Sequence, residues 1–364
     1  MDDLAQIRTL MSVPPPTPEV VAEGRALLTA AFQESTRREP TVGRIRRAVR
    51  AARWTALGAG LLGVAATTAV VLSSSEPPAP VPGHSVTTLS ARDVFLAAAD
   101  STSRTPATGK YWVRKAVNGM QHGTPDNRYV LQETTSVETW APRTPGGRVW
   151  LIRQEQGAVP ATPKDEKAWR AAGSPRSWTY HDPESTLSAE PGERHALWDD
   201  TGKSLTLLGV PMTPETLNAL PTTPEGIRAY LEKVITKGYS SEPIDMNAEL
   251  YGVGTQLVMN FPVSPEVRAA VYRMCAALPG VTALGKVTDP LGRTGEAVGF
   301  QEGPAVRTRF VLDTATGQPL ASESTYTYRG RQYETYTAID SIAWTDEEPA
   351  LPAKQSPMNR PARP

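Results

Sequence analysis

The chain has 364 residues, with 38 basic side chains balanced by 38 acidic ones, and 39% of its residues are hydrophobic. This balance excludes a polyelectrolyte that holds nucleic acid by bulk charge. A single cysteine, Cys275, excludes an internal disulfide, and the length leaves room for one to three domains with a substantial core.

Residues 1–53 read as a cytoplasmic tail. Leu4, Ile7, Leu10 and Met11 recur at helical spacing until VPPPTP stops them, and Thr17 with Pro18 opens a second short helix carrying Val20, Val21, Leu27, Leu28 and Phe32. Two short amphipathic helices cannot enclose a core, so they are expected to dock on a cytoplasmic protein partner or the membrane surface, or to remain a loose tail. Arg37, Arg38, Arg44, Arg46, Arg47, Arg50 and Arg53 follow, and then comes the uncharged run Trp54 to Leu72. That run approaches the roughly 20 residues a bilayer-crossing helix needs, and the arginines on its N-terminal side predict that this side stays inside. The expected arrangement is a single transmembrane helix over 54–72, with the bilayer as partner and the C-terminal domain outside the cytoplasm. The arginines then face anionic lipid and not nucleic acid. A buried core helix and a cleaved signal peptide are the alternatives. Residues 73–85 form a Ser/Pro linker.

Residues 86–348 predict an extracytoplasmic α+β domain. SARDVFLAAAD from Ser90 is a helix. KYWVRKAV from Lys110, RYVLQETTSVETW from Arg128 and GRVWLIRQE from Gly147 are strands rich in β-branched and aromatic residues. Residues 156–211 are Pro-rich and match no period. Helices return at TPEGIRAYLEKVITKG, MNAELYGVGTQLVMNF and SPEVRAAVYRMCAALPG, with Thr223 and Ser264 as caps and proline after each. Five strands follow, from Val281 to Thr288, Glu296 to Phe300, Arg307 to Leu312, Leu320 to Tyr328 and Gln332 to Trp344, with Gly317 supplying the left-handed position of a hairpin loop. The order predicts a curved antiparallel sheet with helices on one face. Residues 349–364 read as a disordered tail.

Few residues carry chemistry. Gly58, Gly60 and Gly63 spell a dinucleotide pattern but lack the strand before and the helix after that would give it meaning. The small residues of the same run, Ala52, Ala56 and Gly60 or Ala59, Gly63 and Thr67, lie four apart, as in helices that self-associate in lipid. His181 and His195, with Asp182, Asp199 and Asp200, lack the short spacing of a metal site, so they read as solvated loop residues. Cys275 reads as a small core residue. No nucleophile elbow, phosphate loop or zinc-protease helix occurs; no cofactor or metal is expected, and the chain is expected not to be an enzyme. The unusual feature is aromatic placement: Trp112, Trp140, Tyr326, Tyr328 and Tyr336 are candidates for a ring-lined groove holding a lipid, glycan or peptide, and core packing is the competing role.

The segments LAQIRTLMSVPPPTPEVVAEGRALLTAAF, YRMCAALPGV, KVTDPLGRTGEAVGF and FVLDTATGQPLASES, joined by an arginine run and one apolar span, resemble a group of uncharacterised actinobacterial single-pass membrane proteins. More distantly, a leading helix followed by antiparallel strands is similar to the half-barrels of periplasmic lipoprotein carriers and related sigma-regulatory proteins. These resemblances imply a non-enzymatic, membrane-anchored protein that binds or senses an envelope component. An envelope hydrolase and a purely structural anchor are the competing classes.

Overall fold

The computed structural model describes residues 89–102, 108–181, 184–238, 244–302, 306–328 and 330–358. The tail, the apolar run 54–72 and the linker lie outside these residues.

The first helix, α1 (Ala91–Thr102), is set by a reciprocal cap: the Asp93 N–H donates to Ser90 Oγ, while the Ser90 hydroxyl and N–H donate to the Asp93 carboxylate. Its Val94, Phe95, Ala98 and Ala99 are buried. Three strands follow, β1 (Tyr111–Gly123), β2 (Val130–Pro142) and β3 (Val149–Pro160). The Pro-rich middle contains α2 (Pro163–Ala171), the pair β4 (Ser177–His181) and β5 (Glu184–Ser188), then β6 (His195–Asp199), and the two-residue strands β7 (Thr206–Leu207) and β8 (Val210–Pro211). Four helices come next: α3 (Pro214–Asn218), α4 (Pro224–Gly238), α5 (Met246–Asn260) and α6 (Pro265–Ala276). Thr213 caps α3, Asp245 caps α5 and Ser264 caps α6, while the Gly226 N–H donates to Thr223 Oγ1 at the start of α4. A meander closes the domain: β9 (Thr282–Thr288), β10 (Thr294–Glu302), β11 (Val306–Asp313), β12 (Gln318–Tyr328) and β13 (Arg331–Thr345), with β14 (Gln355–Pro357) last.

Ten strands form one sheet in the order β14-β6-β3-β2-β1-β13-β12-β11-β10-β9. Strand β1 joins the two halves, pairing antiparallel with both β2 and β13. Because side chains alternate along a strand and directly paired residues share a side, the register assigns each position to one side of the sheet. Ala116 on β1, Ile339 on β13, Phe310 and Leu312 on β11 and Val298 and Phe300 on β10 face the helices, where they meet Phe95, Tyr251 and Tyr272 in the main core. This is the helix side. On the outer side, β1–β3 and β6 build a second cluster from Val113, Trp140, Trp150, Ile152 and Ala196, with Tyr111 and Trp198 at its border.

Two expectations are corrected. An α+β fold of one transmembrane helix and an antiparallel sheet is not what is found: the sheet dominates, and it is mixed, because β14 runs parallel to β6. The strands β4–β8 come from the Pro-rich stretch where no period was visible; they run only two to five residues, too short for alternation to register. No helix among the described residues is long and apolar enough to cross a membrane; α4 and α5 reach 15 residues each, about 22 Å against a hydrocarbon core of about 30 Å. Within 349–364, read from sequence as a disordered tail, residues 355–357 form the edge strand β14, held by Ala196 N–H to Lys354 O and Met358 N–H to Trp198 O.

Candidate functional site

The five aromatic candidates do not form one groove. Trp140 belongs to the outer cluster, edge-on to Tyr111 at 6.2 Å. Tyr336 is also on the outer side, its ring lying over Gly119, where an added Cβ would come within 2.1 Å of it. Burial and, next, the charge of Glu323 push its phenol above the ordinary tyrosine range. Trp112 faces the helix side and is 1% exposed. Tyr326 and Tyr328 share the helix side, as their spacing of two requires, but they sit at the opposite end of the sheet from Trp112. The register pairs Tyr326 with Tyr333 and Trp112 with Trp344, so the two sites are about 30 Å apart along β13.

At the tyrosine end, the helix side of the sheet extends past the main core and changes character. Tyr326 stacks on Tyr333 with centroids 5.7 Å apart and planes at 24°. Burial, with a smaller contribution from Tyr333, pushes the Tyr326 phenol up to about 12. Around the pair lie Ser324 and Thr335, directly paired with each other, and Arg331, paired with Tyr328. Arg331 has a buried Nη1 with no hydrogen-bond acceptor. Nearby on β1, Asn118 accepts from the Thr337 hydroxyl at 3.0 Å, and His122 sits 3.1 Å from Glu133. Rings, hydroxyls and one under-used guanidinium therefore share a half-buried face.

The other end of the same side is different again. Arg114 lies between Trp112 and Ala116 along β1 and is paired across with Thr139 and Ile342. It is 6% exposed, its Nε has no acceptor, and burial lowers its pKa to about 10. Arg153 on β3 is nearly as buried but donates to Glu155 at 3.3 Å. Asp199 is 4% exposed, and its carboxylate accepts from the Thr201 hydroxyl and from the N–H groups of Thr201, Lys203 and Ser204. At the margin an open depression of about 570 Å³ is bordered by Lys110, Tyr111, Arg143 and Asp346. There the Arg143 guanidinium stacks 4.1 Å over Trp344 and donates to Gly109 O.

Arg331, Arg114 and the His122–Glu133 pair were not singled out from sequence; Tyr333 belongs to the same aromatic set as Tyr326, Tyr328 and Tyr336. Arg114 had a visible signal: in YWVRKAV it occupies the same alternation as Trp112 and Ala116, a core position held by a charge. His122–Glu133 had none, since the pair forms only through the β1–β2 register. Cys275 is fully buried, and burial pushes its thiol up to about 12, far from a reactive thiolate. Among the described residues no three His, Cys, Asp or Glu side chains converge as a metal site would require. His195 lies on β6, its Nδ1 3.5 Å from Glu193 O.

No protein-family model matches the chain, and no curated protein sequence does. Among solved structures, it is similar to a DUF1329 family protein from Desulfovibrio piger ATCC 29098, at 10% identity over 70% of this chain and 91% of that one, with a TM-score of 0.18. A score so low supports no statement about fold or function.

Proposed function

We propose that the chain is a non-enzymatic binding protein whose helix-side sheet face, at the tyrosine end, holds a small organic ligand with a flat apolar face and polar edges. The observation that carries this reading is the Tyr326–Tyr333 stack beside Arg331, whose buried Nη1 lacks an acceptor. Aromatic rings give a stacking surface, hydroxyls of Ser324 and Thr335 give adaptable hydrogen bonds, and a guanidinium gives directional donors. A core built for packing alone would not place a donor without a partner beside its rings, because an unmet buried donor costs about 1–3 kcal/mol.

The test is native mass spectrometry of the full chain purified from its source cells, on the parent and on Tyr326→Ala and Arg331→Gln. A bound small molecule that both variants lose, while melting within a few degrees of the parent, supports the reading. A parent without any bound molecule, or variants that keep it, would overturn it.

A further inference from the structure

At the far end of the same sheet side, about 25 Å along the strands from Tyr326, stands a second and independent feature. Arg114 is buried among Trp112, Ala116, Thr139 and Ile342, its Nε has no acceptor, and among the described residues no carboxylate is paired with it. A guanidinium held this way is costly, because removing a charge from water costs several kcal/mol unless a counter-charge offsets it. The neighbouring charges on this side are already committed. Arg153 pairs with Glu155, and Asp199 is saturated by four donors from its own loop. His122 and Glu133 pair with each other farther along β1 and β2. Arg114 is therefore a positive charge that no carboxylate matches among the described residues, and an anion would match it; Arg268 on α6, 7% exposed, is likewise without a carboxylate and donates only to Thr102 Oγ1 at 3.5 Å.

We infer that Arg114 is the anchor of a binding site for a carboxylate carried on an apolar body. The planar fork of a guanidinium matches a carboxylate in two parallel hydrogen bonds, and the Thr139 side chain, directly across on β2, places a third donor on the same side. Trp112, Ala116 and Ile342 surround the cation with apolar surface, which suits a hydrophobic acid better than a sugar acid or a free inorganic anion. A phosphate ester would bring up to two negative charges to the one guanidinium of Arg114. The site neither uses the tyrosine end nor depends on it.

The experiment is titration calorimetry of the full chain with decanoate, decanol and decyl phosphate, repeated on Arg114→Met, Arg114→Lys and Tyr326→Ala, with melting temperatures for all. The parent is expected to bind decanoate at one site, with decanol and decyl phosphate each weaker by roughly tenfold or more. Arg114→Met should lose decanoate by a similar factor while melting at or above the parent, because methionine fills the same space without a charge to desolvate. Arg114→Lys should retain part of the affinity, and Tyr326→Ala all of it. No decanoate binding by the parent, equal binding of decanol, tighter binding of decyl phosphate, or undiminished binding by Arg114→Met would each overturn the proposal. A collapse in melting temperature for both Arg114 variants would do so as well, since it would show that the charge is satisfied within the fold. Loss of decanoate with Tyr326→Ala would show one continuous site instead of two. Failure at the tyrosine end leaves this result unchanged, so the two readings stand or fall separately.

Discussion

The two halves of the sheet use their sides in opposite ways. From β13 to β9 the helix side is dry where it meets the main core: Phe300, Phe310, Leu312 and Ile339 meet Phe95, Tyr251 and Tyr272, and the outer side carries the small cluster of Ala297, Val311, Leu320, Ala321 and Ala338, with Tyr336 against it. From β1 to β6 Trp140, Trp150 and Trp198 pack on the outer side, while the helix side buries Arg114, Thr139, Arg153 and Asp199 beside Trp112 and, farther along, the cluster of Leu131 and Ala158 with Tyr129, Trp178 and Leu187. The change takes place at β1, whose Ala116 still belongs to the main core while Arg114, two residues earlier, does not. Beside it, Asp340 bulges out of β13, since Lys115 pairs with Ser341 and Ala116 with Ile339. With the outer tryptophans supplying cohesion to β1–β3, some of the positions facing the helices carry charge beside the packed Trp112, Leu131 and Ala158.

This contrast predicts where truncation hurts most. Phe95→Ala removes a ring that contacts Tyr251, Tyr272 and Phe310 at the centre of the dry half, and should cost about 3–5 kcal/mol. Denaturant unfolding measures it. A cost below about 1 kcal/mol would mean that the helices are not cemented to the sheet through α1. Ending the chain after Leu351 removes β14 and uncovers the edge of β6 next to the tryptophan cluster. The lost backbone hydrogen bonds at Ala196 and Trp198 should cost about 1–3 kcal/mol and expose the β6 amides to hydrogen exchange. Unchanged exchange at Ala196 would show that the edge strand contributes nothing. Gly119→Ala is expected to cost about 1–3 kcal/mol, because the new Cβ would lie 2.1 Å from the Tyr336 ring and drive it off the outer face. A silent Gly119→Ala would mean that Tyr336 moves freely, and a melting curve decides it.

Sequence periodicity carried the long elements and lost the short ones, for a physical reason. In α1, α4 and α6, polar N-caps and an apolar face agree over several turns, so helix spacing is redundant, and strands of eight residues or more such as β12 and β13 show alternation several times over. β4 to β8 offer no such redundancy. β14 was invisible for another reason: it is parallel, polar and held by main-chain bonds, none of which leaves a mark in side-chain pattern. The candidate site was legible only in its residue types. Which side a tyrosine faces follows from its own strand, so a spacing of two puts Tyr326 and Tyr328 on one side; whether they join Trp112 depends on register across three strands, which composition does not encode.

The smallest expected effect is at the loop that leaves β6. Asp199 is buried, and burial alone would raise its pKa, but the Thr201 hydroxyl and the N–H groups of Thr201 and Ser204 outweigh this and hold the carboxyl below its usual range. A carboxyl whose folded pKa lies below the unfolded value stabilises the fold fully above the unfolded pKa of about 3.9, and that contribution is lost as pH falls through the folded value. Asp199→Asn keeps the shape but weakens four charge-assisted bonds, so it should cost about 1–2 kcal/mol at pH 7 and progressively less as acid protonates the parent carboxyl. Melting temperatures of parent and variant should therefore converge on acidification. Curves that stay parallel on acidification would show that the loop is held by its backbone turns and not by the buried charge.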